Sequence, residues 1–379
     1  MIPISDEQKS FVEAIRDFVA REAGTREQRA TLTDGKRIQH NQGLYQKLAE
    51  LGWLGVAIPE EYGGSGGGPV DLCLFLEETS YGMLPISGFA VSMMVAAATE
   101  RFGTPEQKEE VLTRVAQGGV QAIAMSEPGA GSDVGAMQCN ARRDNGSYVV
   151  NGQKTWISDV QAAEHVLLVC RTDDSAGKHD GLTMLRIPTG LEGIEIRPIN
   201  TMAGDVCFDV FFADCHVPAD GLLGTEGAAW SQLMTGLNVE RLIIGAQMLG
   251  VARRAFDDVL KYVKERYAFG RPIGSFQALK HRIADLATEI ECCRLLTYDV
   301  AARVEADSSA NFTREASMVK LKVTETAKRV ALEGMQMMGG YGYATEYDME
   351  YHVRSTLPAT IVGGSSEIQR TVIGKTFGL

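Results

Sequence analysis

At 379 residues and 45% hydrophobic content, the chain can bury a sizeable core and hold more than one domain. A formal net charge of −12 excludes a typical nucleic-acid binder and docking on anionic membranes, while leaving room for a local basic pocket around an anionic ligand. The acidic start, the lack of an apolar run of 18 residues and seven scattered cysteines never spaced Cys-x-x-Cys predict a cytoplasmic protein with reduced thiols; six isolated histidines imply no metal.

From Asp6 to about Thr113 the pattern is helical. Ser5 or Asp6 can cap a first helix whose apolar residues Phe11, Ile15, Phe18 and Val19 recur at three and four. The apolar run Gly88 to Thr99 is too short to span a bilayer. Gly63 to Gly68 is glycine-rich, but no Gly-Lys-Ser/Thr follows, so it reads as a connector and not a phosphate loop.

Between about Val120 and Gly227 the texture changes to short β-rich runs. These are Tyr148 to Gly152, His165 to Cys170, Leu182 to Ile187 and Val206 to Phe212. Asp144-Asn145-Gly146 and Asn151-Gly152 act as turn signals between them. No helical stretch alternates with these runs, which predicts an antiparallel β domain and not a dinucleotide-binding βαβ unit. Two segments here stand out. Met125-Ser126-Glu127-Pro128-Gly129-Ala130-Gly131-Ser132-Asp133 concentrates hydroxyls and backbone N–H groups in a loop, and Gly152-Gln-Lys-Thr-Trp156-Ile-Ser158 reads as a turn entering an apolar strand with one indole. Together they suit a flat, polar-edged heterocycle, hydrogen-bonded at its rim and packed against Trp156.

From Trp230 to Phe377 long helices return, with junctions near Pro272 and at residues 306–312. The reading is a multi-domain α+β protein: an N-terminal helical domain (1–119), a middle antiparallel β domain (120–227) and a C-terminal four-helix bundle (228–379).

This order and its motifs resemble the acyl-CoA dehydrogenase family over nearly the whole chain. Besides the two β-domain segments there are Glu265-Arg-Tyr-Ala-Phe-Gly-Arg-Pro-Ile-Gly-Ser-Phe-Gln277, Gln336-Met-Met-Gly-Gly-Tyr-Gly342 and Gly363-Gly-Ser-Ser-Glu-Ile-Gln-Arg370. The resemblance implies FAD as cofactor. Met125, Ser126, Gly131, Ser132, Trp156 and Ser158 match its flavin segments. Arg266, Phe269 and Gln277 match residues that reach the FAD of a neighbouring subunit, and Gln336, Gly339 and Gly340 match those that meet its adenosine and pyrophosphate. Ser365 and Glu367 fall beside the flavin, where the family commonly has Thr and Gln. A flavin completed by two chains implies a homo-oligomer, in the family a homotetramer.

The implied reaction is α,β-dehydrogenation of an acyl-CoA. A carboxylate removes the α proton, the β hydrogen leaves as hydride to flavin N5, and electrons pass to electron-transferring flavoprotein. Most members carry the base in a Tyr-Glu-Gly-Thr stretch; here that stretch reads Val362-Gly363-Gly364-Ser365 and the Glu position is Gly363. The isovaleryl-CoA and long-chain members instead carry it in a helical Glu-Arg pair, matched by Glu240-Arg241. Independently of the family, Leu233, Leu237, Glu240, Ile244, Gln247 and Val251 share one helix face, so Glu240 sits in a largely apolar stripe where burial would raise its basicity. By the resemblance, Ser132, Asn238, Arg241, Gly363 and Gly364 line the path of the acyl-CoA. Two departures are Ser355 after Arg354, in place of Asp, and Ile123, where some relatives have Tyr.

The helical base and the glycine at 363 suggest a branched or bulky acyl group. Two alternatives stay open: an enoyl-CoA reductase of the crotonobetainyl-CoA reductase type, and a flavin-holding subunit of a hetero-oligomer.

Overall fold

The computed structural model describes residues 4–307 and 310–379, and the side chains of all of these except 234–237. Its helices are α1 (Asp6–Ala23), α2 (Arg26–Leu32), α3 (Gln42–Glu50), α4 (Pro69–Tyr81), α5 (Gly88–Phe102), α6 (Pro105–Ala116), α7 (Ala229–Glu265), α8 (Gln277–Ala306), α9 (Thr313–Met338), α10 (Gly340–Tyr343), α11 (Met349–Thr356) and α12 (Ser366–Lys375). The strands are β1 (Val120–Ala124), β2 (Asn140–Asp144), β3 (Ser147–Ser158), β4 (Ala163–Arg171), β5 (Leu182–Pro188), β6 (Ile194–Thr201), β7 (Gly204–Pro218), β8 (Leu222–Leu223) and a short pair, β9 (Tyr267–Ala268) and β10 (Arg271–Pro272). Of the two caps the sequence offers, Ser5 and Asp6, it is Ser5 that caps α1, in a capping box with Gln8. Among the described residues no helix is long and apolar enough to cross a membrane.

The chain forms two compact units that do not follow linear order. The helical unit takes the chain up to Arg29, Gly68–Leu84 and Asn238–Leu379; the β unit takes Ala30–Gly67 and Pro85–Leu237. What draws α4 into the helical unit is a buried charge cluster. Glu77, fully buried, accepts from Arg253 on α7 and from Arg294 and Tyr298 on α8, and Glu78 accepts from Arg16 on α1 and from Arg253. Two carboxylates on one helix thus tie together three others, and each buried charge has a partner, which is the condition for tolerating it.

In the helical unit α9 is central. It packs on α8, α11 and α12, and a buried stripe of Ala316, Val319, Val323, Ala327 and Val330 runs along it.

In the β unit the sheet order is β6-β7-β3-β2-β4-β5-β8, with β1 on β4. The pairings are antiparallel except that β1 runs parallel to β4, as does the single β2–β4 pair Asn140–Arg171. The sheet is therefore mixed, a correction to the wholly antiparallel expectation. The chain passes from β1 to β4 through β2 and β3, so the parallel pair forms without any βαβ alternation. Asn151-Gly152 also departs from its reading as a turn: both lie inside β3 at a bulge. Gly152 has φ +143°, and a Cβ there would come within 2.7 Å of the Cys139 Cα, so glycine serves close strand approach and not chain reversal.

Candidate functional site

In the β unit the first candidate loop is built as a tight turn. Glu127 N–H donates to the Ala130 carbonyl and Ala130 N–H to that of Glu127, each at 3.0 Å. Thr155 N–H then donates to the Ser126 carbonyl at 2.9 Å, which ties the loop to β3. Beneath it lies a buried ion pair. The Lys154 ammonium, 0% exposed, donates to Glu127 Oε1 at 2.7 Å and to the Met125 carbonyl at 2.9 Å. Glu127 also accepts from the N–H groups of Gln138 and Cys139, at 2.7 and 2.9 Å. Both ends of the 125–139 segment therefore hang on one carboxylate.

The same β3 segment carries Trp156. A register shift between Lys154 and Ile157 and φ +62° at Trp156 break the alternation, and the indole is 59% exposed. The distortion leaves most of the indole outside the sheet's packing, with its ring open to contact. Met125, Ser126 and Ser158 are half-buried, and Gly131 and Ser132 are exposed. A Cβ at Gly131 would meet nothing within 4 Å, so its backbone is open to approach.

In the helical unit, Glu240 lies on α7 one turn before Ile244. Leu233 and Ile244 are buried, and Gln247 and Val251 are half-buried; the side chain of Leu237 lies outside the described residues. Burial raises the Glu240 carboxyl above the usual carboxylate range, opposed by the charges of Arg241 and Lys320. Among the described residues neither of its oxygens accepts a hydrogen bond, so the carboxylate is not engaged structurally.

Opposite it is the Gly363–Gly364 turn, with φ of +62° and +81°. A Cβ built on Gly363 would stand 3.3 Å from Glu240 Oε1 and would overlap Ile244 Cδ1. The α7 carboxylate therefore occupies the space next to where a side chain at 363 would begin. The carbonyl of Gly364 accepts from the Lys320 ammonium at 2.8 Å, and the Gln369 amide donates to the carbonyls of Gly363 and Gly364 at 3.0 Å each. Among the described residues the Gly363 N–H donates to nothing, and it remains a donor for an incoming oxygen.

Around this core, Ser365 caps α12 by accepting from Ile368 N–H, with Glu367 in the first turn. The Glu367 carboxyl is held below its ordinary range by backbone N–H and by the Ser365 hydroxyl. Arg241 is only 6% exposed. It donates to Asn238 Oδ1 at 3.1 Å, and its Nε has no partner among the described residues. A buried guanidinium held by one neutral amide is short of acceptors.

A third group surrounds the α7–α8 and α9–α10 junctions of the helical unit. The Arg266 guanidinium lies 5.5 Å from the Tyr341 ring centroid. Phe269 has φ +53° and is 94% exposed, and Gln277 and Gln336 are exposed. Gly339 and Gly340 would have nothing within 4 Å of an added Cβ. These residues have little intramolecular burial and present aromatic, cationic and amide groups outward.

Sequence reasoning missed Lys154, Glu127, Lys320 and Gln369. For Lys320 a signal existed: it falls on the buried α9 stripe between Ala316 and Val323. A lysine on an apolar face is a rare placement.

Residues 5–119, 122–215 and 227–378 match the family models described as the N-terminal, middle and C-terminal domains of acyl-CoA dehydrogenase. The chain is 35% identical over 377 residues to a mitochondrial isovaleryl-CoA dehydrogenase of Solanum tuberosum, covering 98% of this chain and 90% of that one. It is 36% identical over 338 residues to an acryloyl-CoA reductase (NADH) of Anaerotignum propionicum, covering 87% and 85%. Its fold matches the crystal structure of an acyl-CoA dehydrogenase from Geobacillus kaustophilus with a TM-score of 0.91 and 32% identity over 99% of both chains.

Proposed function

The chain belongs to the acyl-CoA dehydrogenase family of FAD-binding oxidoreductases, and from that premise we propose that it converts an acyl-CoA thioester to the trans-2-enoyl-CoA with Glu240 as base. The observation that carries this reading is the Glu240 carboxylate 3.3 Å from the absent Cβ of Gly363. A side chain at 363 and one at 240 can present a carboxylate to the same neighbourhood, and this chain uses the second.

An α C–H beside a thioester is weakly acidic, so its base must be positioned, dry and basic. Glu240 is raised by burial and has no competing hydrogen bond among the described residues. Its role is to take the α proton onto a carboxylate oxygen. The free Gly363 N–H donates to the thioester oxygen as negative charge develops there, and the clamp on the carbonyls of 363 and 364 pre-organises that donor. Asn238 and Arg241 hold the CoA portion; Arg241 brings a buried cation still short of an acceptor.

FAD, when bound, supplies the acceptor for the β hydrogen. The residues present fit it. In the β unit, Ser126, Ser132 and the N–H groups of the 125–132 turn would hold the rim of its ring, with Trp156 and Ser158 alongside. Gly339 and Gly340 leave backbone open to its phosphates, and Arg266 offers a guanidinium. By the family pattern Ser365 and Glu367 would also serve the flavin. The outward display of Phe269, at 94% exposed, with Gln277 and Gln336 supports a homo-oligomer, a tetramer by family pattern, in which these residues complete a neighbour's cofactor site. Electron-transferring flavoprotein is the proposed acceptor. Seven thiols with no disulfide favour a reducing, cytoplasmic setting.

The substrate we favour is branched or bulky, because the chain is 35% identical to a protein named isovaleryl-CoA dehydrogenase; the space beside Gly363 is itself filled by Ile244. A second reading, enoyl-CoA reduction, has a specific support in the similarity to a protein named acryloyl-CoA reductase. Anaerobic titration of the FAD-loaded protein with straight, branched and aromatic acyl-CoAs separates the two. Bleaching of the flavin by a saturated thioester supports dehydrogenation, and the fastest substrate gives the specificity. An oxidised flavin throughout, with the reduced protein reoxidised by enoyl-CoA, replaces it with the reductase reading.

A further inference from the structure

Lys320 enters the mechanism above only as one part of the clamp on the 363–364 turn, yet its position is unusual. It is 0% exposed on the α9 face that carries Ala316, Val319 and Val323 into the core. Its ammonium has one hydrogen-bond acceptor among the described residues, the Gly364 carbonyl at 2.8 Å. A neutral carbonyl does little to offset the burial of a full charge, and a methionine of similar shape would pack there without that cost. The charged groups facing Lys320 come from three helices. Glu240 and Arg241 are on α7, Glu325 is on α9 itself, and Glu367 is on α12. Glu325 is already engaged by Arg370, at 2.7 and 2.9 Å. Glu367 is exposed at a helix N-terminus that favours its charge. Glu240 is the carboxylate left without a hydrogen-bonded partner, and it borders the same turn whose carbonyl Lys320 holds.

We propose that Lys320 is a positioning residue for the base: its ammonium fixes the Gly363–Gly364 turn beside Glu240 and keeps the Glu240 carboxylate ionised. This rests on the reading of Glu240 as base. Two effects act together. The hydrogen bond to Gly364, with the two from Gln369, holds a turn of two positive-φ glycines that could otherwise relax. The charge attracts Glu240 and opposes the burial that raises its carboxyl. The reciprocal effect is present too: burial lowers the Lys320 ammonium, Glu240 raises it and Arg241 lowers it, with the net result at about 8. At neutral pH the ammonium is still mostly protonated and available to the base.

The test uses FAD-loaded protein with Lys320→Met and Lys320→Arg, following anaerobic flavin reduction against pH with the best acyl-CoA. The acid limb of the rate reports ionisation of the base. Lys320→Met moves that limb upward by about 1 unit or more, the size expected for loss of a neighbouring opposite charge, and Lys320→Arg restores it. A second measurement needs no chemistry. In a melting cycle at saturating FAD, Lys320→Met lowers the midpoint in the Glu240 protein and lowers it less, or raises it, in the Glu240→Gln background. If Lys320→Met does not fold, Lys320→Gln takes its place, since it keeps a donor and loses the charge. An unmoved acid limb in the folded variant, or additive melting shifts, overturns the proposal. If no thioester reduces wild type, the dehydrogenase reading fails separately, and the melting cycle alone decides whether 240 and 320 are coupled.

Discussion

Glu240→Gln, loaded with FAD and mixed anaerobically with a thioester that bleaches wild type, is expected to reduce its flavin about 10²- to 10⁴-fold more slowly, the range for loss of a general base. Glutamine keeps the shape of the side chain and loses the proton acceptor, so cofactor content and thioester binding should stay near wild type. The stability outcome has a definite sign. The folded carboxyl is raised above its unfolded value, so the folded state binds more protons than the unfolded one between the two. Stability therefore falls as pH rises through that window, and at neutral pH the ionised carboxylate is a cost. Glu240→Gln removes the cost, so its melting midpoint should equal or exceed that of wild type. Lost rate with retained stability is the signature of a residue kept for chemistry. Returning the carboxylate to the turn, as Gly363→Glu on Glu240→Gln, should not rescue the rate. Position 363 has φ +62°, and its Cβ would collide with Ile244 Cδ1. Bleaching of Glu240→Gln at the wild-type rate would remove Glu240 from the mechanism.

The second large effect is expected at Lys154. Lys154→Met leaves the Glu127 carboxylate buried without its cation, a change that costs about 3–5 kcal/mol when one partner of a buried pair is removed. The loss has a functional route as well as a structural one. Lys154 also holds the Met125 carbonyl, and Glu127 holds the N–H groups of Gln138 and Cys139. The loop carrying Ser126 and Ser132 should therefore loosen, and FAD content per chain should fall along with the urea midpoint. Replacing both, as Lys154→Met with Glu127→Leu, should recover part of the midpoint, because no uncompensated charge remains. It should recover less of the FAD, because the loop anchors are still missing. An unchanged midpoint and full flavin content in Lys154→Met would show that the pair is not what holds the loop.

Much of this organisation is legible along the chain. The capping box at Ser5, the long amphipathic runs after Trp230 and the β-rich runs between them are local signals, and each reports the element it lies in. The substitution of glycine at 363 and the Glu240-Arg241 pair are also visible in the letters alone. Other features were misread for a physical reason. Asn151-Gly152 has the composition of a turn, but the glycine is required by the close approach of Cys139, the residue before β2, and nothing local distinguishes the two causes. β1 runs parallel to β4, a relation set by the strand it joins and not by its own five residues.

The amino-acid sequence by itself determined the element types, their order and the residue types available for proton abstraction. Only the tertiary structure decided which of them meet. Periodicity reveals that Glu240 and Lys320 each share an apolar face of their own helix, but not that both faces converge on the turn at 363–364. Likewise, Lys154 and Glu127 are separated by a loop and a strand, and their pairing follows from the register in which β3 passes beneath that loop. The reason is the range of the forces. Propensity, capping and amphipathicity act within a few residues, whereas these contacts depend on how whole helices and strands bury their surfaces against one another.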